Sequence, residues 1–263
     1  MSSVRLLDST IDATLVPAIR DAAARPLVFL HEGLGSIGLW RGFPEQVRAR
    51  CGNPTCLVYS RAGYGNSDVP ELPRPASYLH HEATTVLPAV LAETGVERPI
   101  LIGHSDGASI ALLYAAAGHG VTALVLIAPH VFVEPSTLWA IEAARAAYES
   151  GDLRVKLERH HRNVDAAFRG WCDVWLSEEF RSWNIEDCLS SIACPVLVVQ
   201  GDMDPYGTDA HMRVIEDRVR APVTSLMVPG AGHAPHLEAE AQTISAISAF
   251  IASLERPPRS DTS

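Results

Sequence analysis

The sequence predicts an α/β fold: a mostly parallel sheet flanked by helices and interrupted once by a helical insertion. Three observations predict it. Short apolar runs alternate with longer amphipathic stretches. One of those runs feeds a G-x-S-x-G turn that opens directly into a small-residue helix. The alternation then lapses between about residues 134 and 192, where no strand pattern occurs.

The strand candidates are 26–31 (PLVFLH), 55–60 (TCLVYS), 99–103 (PILIG), 123–128 (ALVLIA), 195–201 (PVLVVQG) and 223–228 (VTSLMV). They are short, rich in β-branched residues and apolar at successive positions. A parallel strand covered by helices on both faces reads this way. Between them, 40–50, 81–94, 108–117, 209–220 and 238–254 carry apolar residues at helical spacing. Strand–helix alternation implies βαβ units. The first 20 residues add one or two antiparallel edge strands.

In the interruption, 137–150, 153–161 and 164–176 read as helices. Four of the five tryptophans fall there, Trp139, Trp171, Trp175 and Trp183. Residues 1–133 and 193–255 therefore form a core domain, 134–192 a helical insertion and 256–263 a polar, Pro-rich flexible tail.

The chain has 263 residues, 47% hydrophobic and 20% charged, which is globular composition. With 21 Lys+Arg against 31 Asp+Glu, the formal charge is −10. So acidic a chain lacks the electrostatic footprint for nucleic acid or anionic lipid. The five cysteines contain no CxxC pair, and reduced, mostly buried thiols are the expectation. The N-terminus has acids at Asp8 and Asp12 and no continuous apolar core, and no run approaches a membrane span. The expectation is a soluble cytoplasmic protein. A monomer and a homodimer both remain open.

The chemistry concentrates in three loops that follow strands. In Gly103-His104-Ser105-Asp106-Gly107 the turn from strand to helix is so tight that flanking side chains would meet backbone. Ser105 stands at its apex as candidate nucleophile. A serine nucleophile needs a base, and the base needs an orienting acid, in the order Ser, Asp/Glu, His. Asp202-Met203-Asp204-Pro205 follows the fifth candidate strand. Asp204 is far enough from the strand to reach across the sheet edge, whereas Asp202 could satisfy loop backbone. Gly230-Ala231-Gly232-His233 follows the sixth. His233 is the candidate base, and His236 caps the next helix or lines the pocket. The pairs His80-His81 and His160-His161 read as solvated helix ends. An HExxH zinc motif would need a histidine at position 35, which is Gly35, so no metal is expected. No phosphate-loop or dinucleotide fingerprint appears, so no cofactor is expected.

Together GHSDG, QGDMDP and PGAGHAPHLE resemble the nucleophile, acid and histidine loops of the α/β-hydrolase fold superfamily. LHEGLGS resembles that family's oxyanion loop, and YSRAGYGNSD its following strand and turn. The resemblance covers nearly the whole chain. It implies a triad of Ser105, Asp204 and His233, with oxyanion N–H groups from Asp106 and Gly33, Leu34 being the neighbouring alternative. It implies that the insertion is a cap over the site. Two departures stand out. Glu32 replaces a usual glycine and Ser60 a usual aspartate. A buried Glu32 carboxylate needs a partner, and Arg61 is the candidate.

The implied activity is hydrolysis of a carboxylic ester, lactone or thioester of a small apolar or aromatic substrate, through an acyl-enzyme. A C–C bond hydrolase, a peroxide-dependent side activity and a non-hydrolytic ligand receptor on the same fold are the alternatives. Trp171 and Trp175, at i and i+4, either line the pocket or pack the insertion onto the core. His104 is a further candidate for support of the site.

Overall fold

A computed structural model describes residues 2–6, 9–19 and 25–254. The tail assigned to 256–263 lies outside the described residues. The described residues form one eight-stranded sheet in the order β1-β2-β4-β3-β5-β6-β7-β8. Its strands are β1 (Ser2–Leu6), β2 (Ser9–Val16), β3 (Leu27–Leu30), β4 (Cys56–Tyr59), β5 (Ile100–His104), β6 (Ala123–Ile127), β7 (Val196–Gly201) and β8 (Val223–Val228). β1 and β2 are the antiparallel edge, and β2 runs antiparallel to β4. All later pairings are parallel.

The helices are α1 (Phe43–Arg50), α2 (Tyr78–His81), α3 (Leu87–Thr94), α4 (Asp106–Ala116), α5 (Pro135–Glu149), α6 (Asp152–Leu157), α7 (Val164–Trp175), α8 (Ala210–Arg218), α9 (Pro235–Glu238) and α10 (Glu240–Leu254). The pattern at 81–94 is one continuous helical run from Tyr78, widened by a π-helical turn at Glu82–Val86. The single helix expected over 238–254 breaks at Ala239 into α9 and α10. The stretch expected to be helical to His161 ends at Leu157.

Strands β3, β4, β5 and β6 are buried at every position. The core accordingly splits into two clusters, one on each face of the sheet. Val28, Leu101 and Leu126 turn to one, and Phe29, Ile102 and Val125 to the other. Helix α4 is buried along nearly its whole length, and its small residues Gly107, Ala108, Ser109 and Ala111 let it sit close to β3 and β5.

The strand order positions the site. The chain moves from β3 outward to β4, then crosses back to β5 on the other side of β3. The direction of winding reverses there, and the loops at the carboxyl ends of β3 and β5 diverge to leave a crevice. Those loops carry Glu32–Leu34 and Ser105. Between β6 and β7 the chain makes a helical excursion through α5, α6, α7 and two 3₁₀ turns, Glu179–Ser182 and Glu186–Ser191. An antiparallel bridge between Phe132 and Asn184, with the Ile185 N–H donating to the Val131 carbonyl, brings its two ends together. Among the described residues no helix is long and apolar enough to cross a membrane.

The closeness of α4 to β3 makes a sharp demand at Gly107. A Cβ there would overlap the Leu30 carbonyl, which is backbone and cannot rotate away. Gly107→Ala is expected to destabilise the fold by at least the upper part of the ~1–3 kcal/mol range for overpacked sites. Urea unfolding with an unchanged m-value is the measurement.

Candidate active site

Ser105 separates β5 from α4 and has φ 53° and ψ −117°. A positive φ is a strained conformation for a residue with a side chain, and such residues persist where surrounding structure over-determines them. Here the Ser105 N–H donates to the Ile127 carbonyl (2.9 Å), and its own carbonyl accepts from Ala108 (2.8 Å) and Ser109 (3.1 Å). A Cβ on Gly103 would overlap the Gly107 carbonyl. Both glycines of G-x-S-x-G are thus fixed by sterics. The serine side chain reaches a cavity of about 100 Å³ that His233 also lines.

The Asp204 and His233 side chains meet. His233 Nδ1 lies 2.8 Å from Asp204 Oδ2 and 3.0 Å from Oδ1. The carboxylate is almost fully buried and also accepts from Gln200 Nε2 (2.8 Å) and the Tyr206 N–H (2.8 Å). Burial alone would push its carboxyl up. The contacts with His233, Tyr206 and Gln200 outweigh that and hold it below the usual range. An ionised Asp204 fixes a proton on His233 Nδ1 and leaves the lone pair on Nε2. Asp202 turns away and accepts from the Gly230 N–H (2.6 Å).

The His233 loop is pinned residue by residue. Glu238 on α9 accepts from the N–H groups of Gly232 (2.6 Å) and Ala234 (3.1 Å). His104 Nε2 donates to the His233 carbonyl (2.7 Å). Sequence reasoning missed Glu238. Its position five residues past His233 was the available signal. His236 neither caps a helix nor lines the cavity. It is buried between the rings of Trp40, Phe43 and His104.

The loop after β3 is held by Arg61, which is 1% exposed. His31 Nε2 accepts from the Arg61 N–H (2.9 Å), and its Nδ1 donates to the Glu32 carbonyl (2.7 Å). The Arg61 guanidinium donates to the carbonyls of His31 and Glu32. The expected Glu32–Arg61 carboxylate pair does not form. Arg61 instead pairs with the Asp106 carboxylate at 3.6 Å, and the Glu32 carboxylate lies 3.4 Å from His104 Nδ1. The reason is direction. Arg61 reaches the backbone of Glu32 from the β4 side, while the Glu32 side chain points toward β5. Ser60, the other departure, accepts from the Ile37 N–H through its hydroxyl (3.1 Å).

Asp106 also accepts from the Tyr78 hydroxyl (2.7 Å), which in turn accepts from Trp175 Nε1 (2.9 Å). Trp171 and Trp175 both line the cavity and both are buried, so the two roles weighed for them coincide. The Trp171 ring lies so close to Gly33 that a Cβ there would overlap it. His161, expected to be solvated, is 5% exposed. It accepts from the Gly65 N–H (3.0 Å) and donates to the Leu34 carbonyl (2.9 Å), stitching the excursion to the core. His80 and His81 are exposed as expected. His130, Tyr206, Thr137 and Ile141 complete the apolar wall and escaped the sequence reading, because no motif marks them.

A strained serine at the switch point of a mostly parallel sheet, sharing a cavity with a carboxylate-held histidine, is the architecture of the α/β hydrolases. The chain belongs to the Alpha/beta hydrolase family, whose sequence profile matches residues 27–246. The human serine hydrolase BPHL is 25% identical over 201 residues, 70% of this chain and 64% of that protein. The match thus spans less than two thirds of that relative. Two solved structures share the fold, each with a TM-score of 0.73. They are a proline iminopeptidase from Mycobacterium smegmatis (20% identical, covering 96% of this chain and 98% of that one) and the enol-lactonase from Burkholderia xenovorans LB400 (16%, 95% and 100%).

The buried imidazoles set the acid stability. Burial holds His31, His130, His161 and His236 below the usual imidazole range. Each is neutral when folded and takes up a proton on unfolding once the pH falls below about 6.5. Their contribution is complete above that pH and is lost below it, each by up to about 1.4 kcal/mol per pH unit. Glu82 and Asp106, raised by burial, act in the opposite direction. Stability measured by urea titration is expected to fall from pH 6.5 to 5, and His31→Gln to reduce that slope.

Proposed function

We propose that the protein is a serine hydrolase that cleaves a small carboxylic ester, or a related lactone or thioester, through an acyl-enzyme. One observation carries the reading. Ser105 is held strained at the elbow, in the same cavity as a His233 whose Nδ1 is fixed by Asp204. A bare serine hydroxyl is a weak nucleophile and gains reactivity from such a base.

In the proposed reaction Ser105 Oγ attacks the carbonyl carbon while His233 Nε2 accepts the hydroxyl proton. Asp204 keeps the tautomer and stabilises the imidazolium. The oxyanion lies against the N–H groups of Asp106 and Gly33. The first sits at the N-terminus of α4, where the helix dipole adds to the hydrogen bond. His233 then gives its proton to the leaving oxygen or sulfur. Water loses a proton to His233, attacks the acyl carbon and releases Ser105. No cofactor enters these steps.

The excursion over 134–192 acts as the cap in this reading. It supplies Thr137, Ile141, Trp171 and Trp175 to the wall. A cavity of about 100 Å³ with two indoles suits a short acyl group. The solved structures that share the fold include an esterase, an enol-lactonase and a proline iminopeptidase. The small cavity, with Leu34, Ile141 and two indoles in its wall, favours an ester or lactone over a charged peptide.

Ser105→Ala is expected to lower kcat on p-nitrophenyl acetate by about 10⁴–10⁶-fold, as loss of a triad nucleophile does. It should also abolish covalent labelling by a fluorophosphonate, read by intact-protein mass spectrometry. Turnover that survives at the wild-type rate would defeat the assignment. Trp171→Ala enlarges the acyl side of the cavity. On a p-nitrophenyl ester series it is expected to shift the preferred acyl chain to greater length. An unchanged length profile would remove Trp171 from the acyl pocket.

A further inference from the structure

The Glu32 side chain is the strongest departure from a simple hydrolase loop, and it lies in a niche built for it. A Cβ at Gly35 would overlap the Glu32 carboxylate. The turn is closed by the Gly35 N–H donating to the Glu32 carbonyl (3.0 Å). The carboxylate then faces His104 Nδ1 at 3.4 Å across the cleft between the loops after β3 and β5.

The proton count at His104 is informative. Its Nε2 is 2.7 Å from the His233 carbonyl oxygen. A carbonyl only accepts, so Nε2 carries a hydrogen. If the ring were neutral, Nδ1 would hold a bare lone pair toward a carboxylate oxygen. Two acceptors would then confront each other at a ring whose side chain is 4% exposed. Unpaired buried acceptors are costly, so one further proton belongs in that contact.

We infer that Glu32 and His104 share a proton that makes His104 a donor at both ring nitrogens, and that this pair is a positioning device for the catalytic histidine loop. The clamp on the His233 carbonyl complements Glu238, which holds the N–H groups on either side. Without it, His233 would be anchored through its side chain and the flanking N–H groups, with its own carbonyl unheld. His104 does not touch substrate in this scheme. It acts through the backbone of His233.

The surroundings agree. Burial disfavours the Glu32 carboxylate, yet the contact with His104, to which His31 and the backbone add, outweighs burial and holds the carboxyl well below its usual range. His31, His130, His161, His233 and His236 are titratable groups near the pair, with Trp40 closing it from α1's side. Burial keeps His31 and His236 neutral, His104 adding to the effect at His236. Arg61 is engaged with Asp106 and with loop carbonyls, so His104 is the cation at this carboxylate among the described residues.

The catalytic consequence rests on the serine-hydrolase reading above, while the proton count does not. The test is therefore spectroscopic first. In ¹⁵N-histidine-labelled protein at pH 7.5, with His104→Phe used for assignment, wild-type His104 should show two N–H groups. In Glu32→Gln it should show one, because a neutral amide can donate to Nδ1. A single N–H on wild-type His104 overturns the shared proton. In activity, His104→Phe is expected to lower kcat by roughly 100-fold, the scale of about a 1 Å misplacement, with KM within about threefold. Glu32→Gln, which retains the Nε2 donor, should lose roughly tenfold. Wild-type kcat in both variants overturns the positioning role. If His104→Phe fails to fold, the His104 signals are assigned from those that change in Glu32→Gln, and wild-type kcat in Glu32→Gln alone overturns the positioning role. Failure of the hydrolase reading shows separately, as activity that survives Ser105→Ala.

Discussion

A single buried cation organises this site. Arg61 is the first residue after the Ser60 that ends the β4 region, and it has almost no solvent contact. Its guanidinium faces two loop carbonyls, those of His31 and Glu32, and the Asp106 carboxylate. One side chain thereby ties the ends of β3, β4 and β5 together at the point where the sheet changes winding direction. A guanidinium suits this better than an ammonium, since its planar fork serves several acceptors at fixed angles. Burial opposes its charge, and Asp106 together with Tyr64, Glu82 and Tyr78 outweighs that opposition. Such a pair is weak evidence for added stability, because desolvation offsets the attraction. Its value is geometric. Removing either partner would strand a charge in the core beside the elbow.

The strain at Ser105 depends on that frame. A residue with positive φ holds its place only if its neighbours cannot relax. Helix α4 is pressed onto β3 at Gly107 and onto the elbow at Gly103, and the Asp106 side chain is locked by Arg61 and Tyr78. The same lock continues outward. Tyr78 accepts from Trp175, so the wall of the cavity and the base of the elbow belong to one hydrogen-bonded chain. Trp171 against Gly33 makes a second, purely steric link between excursion and core. The cavity and the elbow are thus coupled through packing, which resists small deformations.

Much of this was legible in the chain because the relevant signals are local. Apolar runs covered on two faces mark the parallel strands, and the antiparallel edge was readable in outline. Ser105 is marked by the two glycines that sterics demand around it. The acid and histidine loops follow strands, so their position at the carboxyl edge is a matter of topology. What stayed hidden depends on side-chain direction across long sequence separations. Arg61 and Glu32 are 29 residues apart and do touch, but through the Glu32 carbonyl and not its carboxylate. Nothing in a motif distinguishes those outcomes. His161 looks like half of a solvated pair, yet 127 residues separate it from the Leu34 carbonyl that it holds. The π turn in the Tyr78–Thr94 run and the break at Ala239 are likewise set by packing, with no local cue in composition.

Two acids beside the elbow, Glu32 and Asp106, also find a common rationale in charge placement. Asp106 offers a proposed oxyanion N–H, and Glu32 directly precedes the other one at Gly33. A bare carboxylate at either position would repel the negative charge that develops in acyl transfer, and a low-dielectric cavity would magnify that repulsion. The structure sets a partner against each. Arg61 meets Asp106 from below the elbow, and His104 meets Glu32 from the strand that carries the nucleophile. Each partner has a second duty in backbone positioning, Arg61 on the carbonyls of His31 and Glu32, His104 on that of His233. On this view the acids are tolerated beside the oxyanion position because the cations that neutralise them also hold the loops. Each carboxylate fixes a cation, and each cation fixes the backbone from which the reacting groups project.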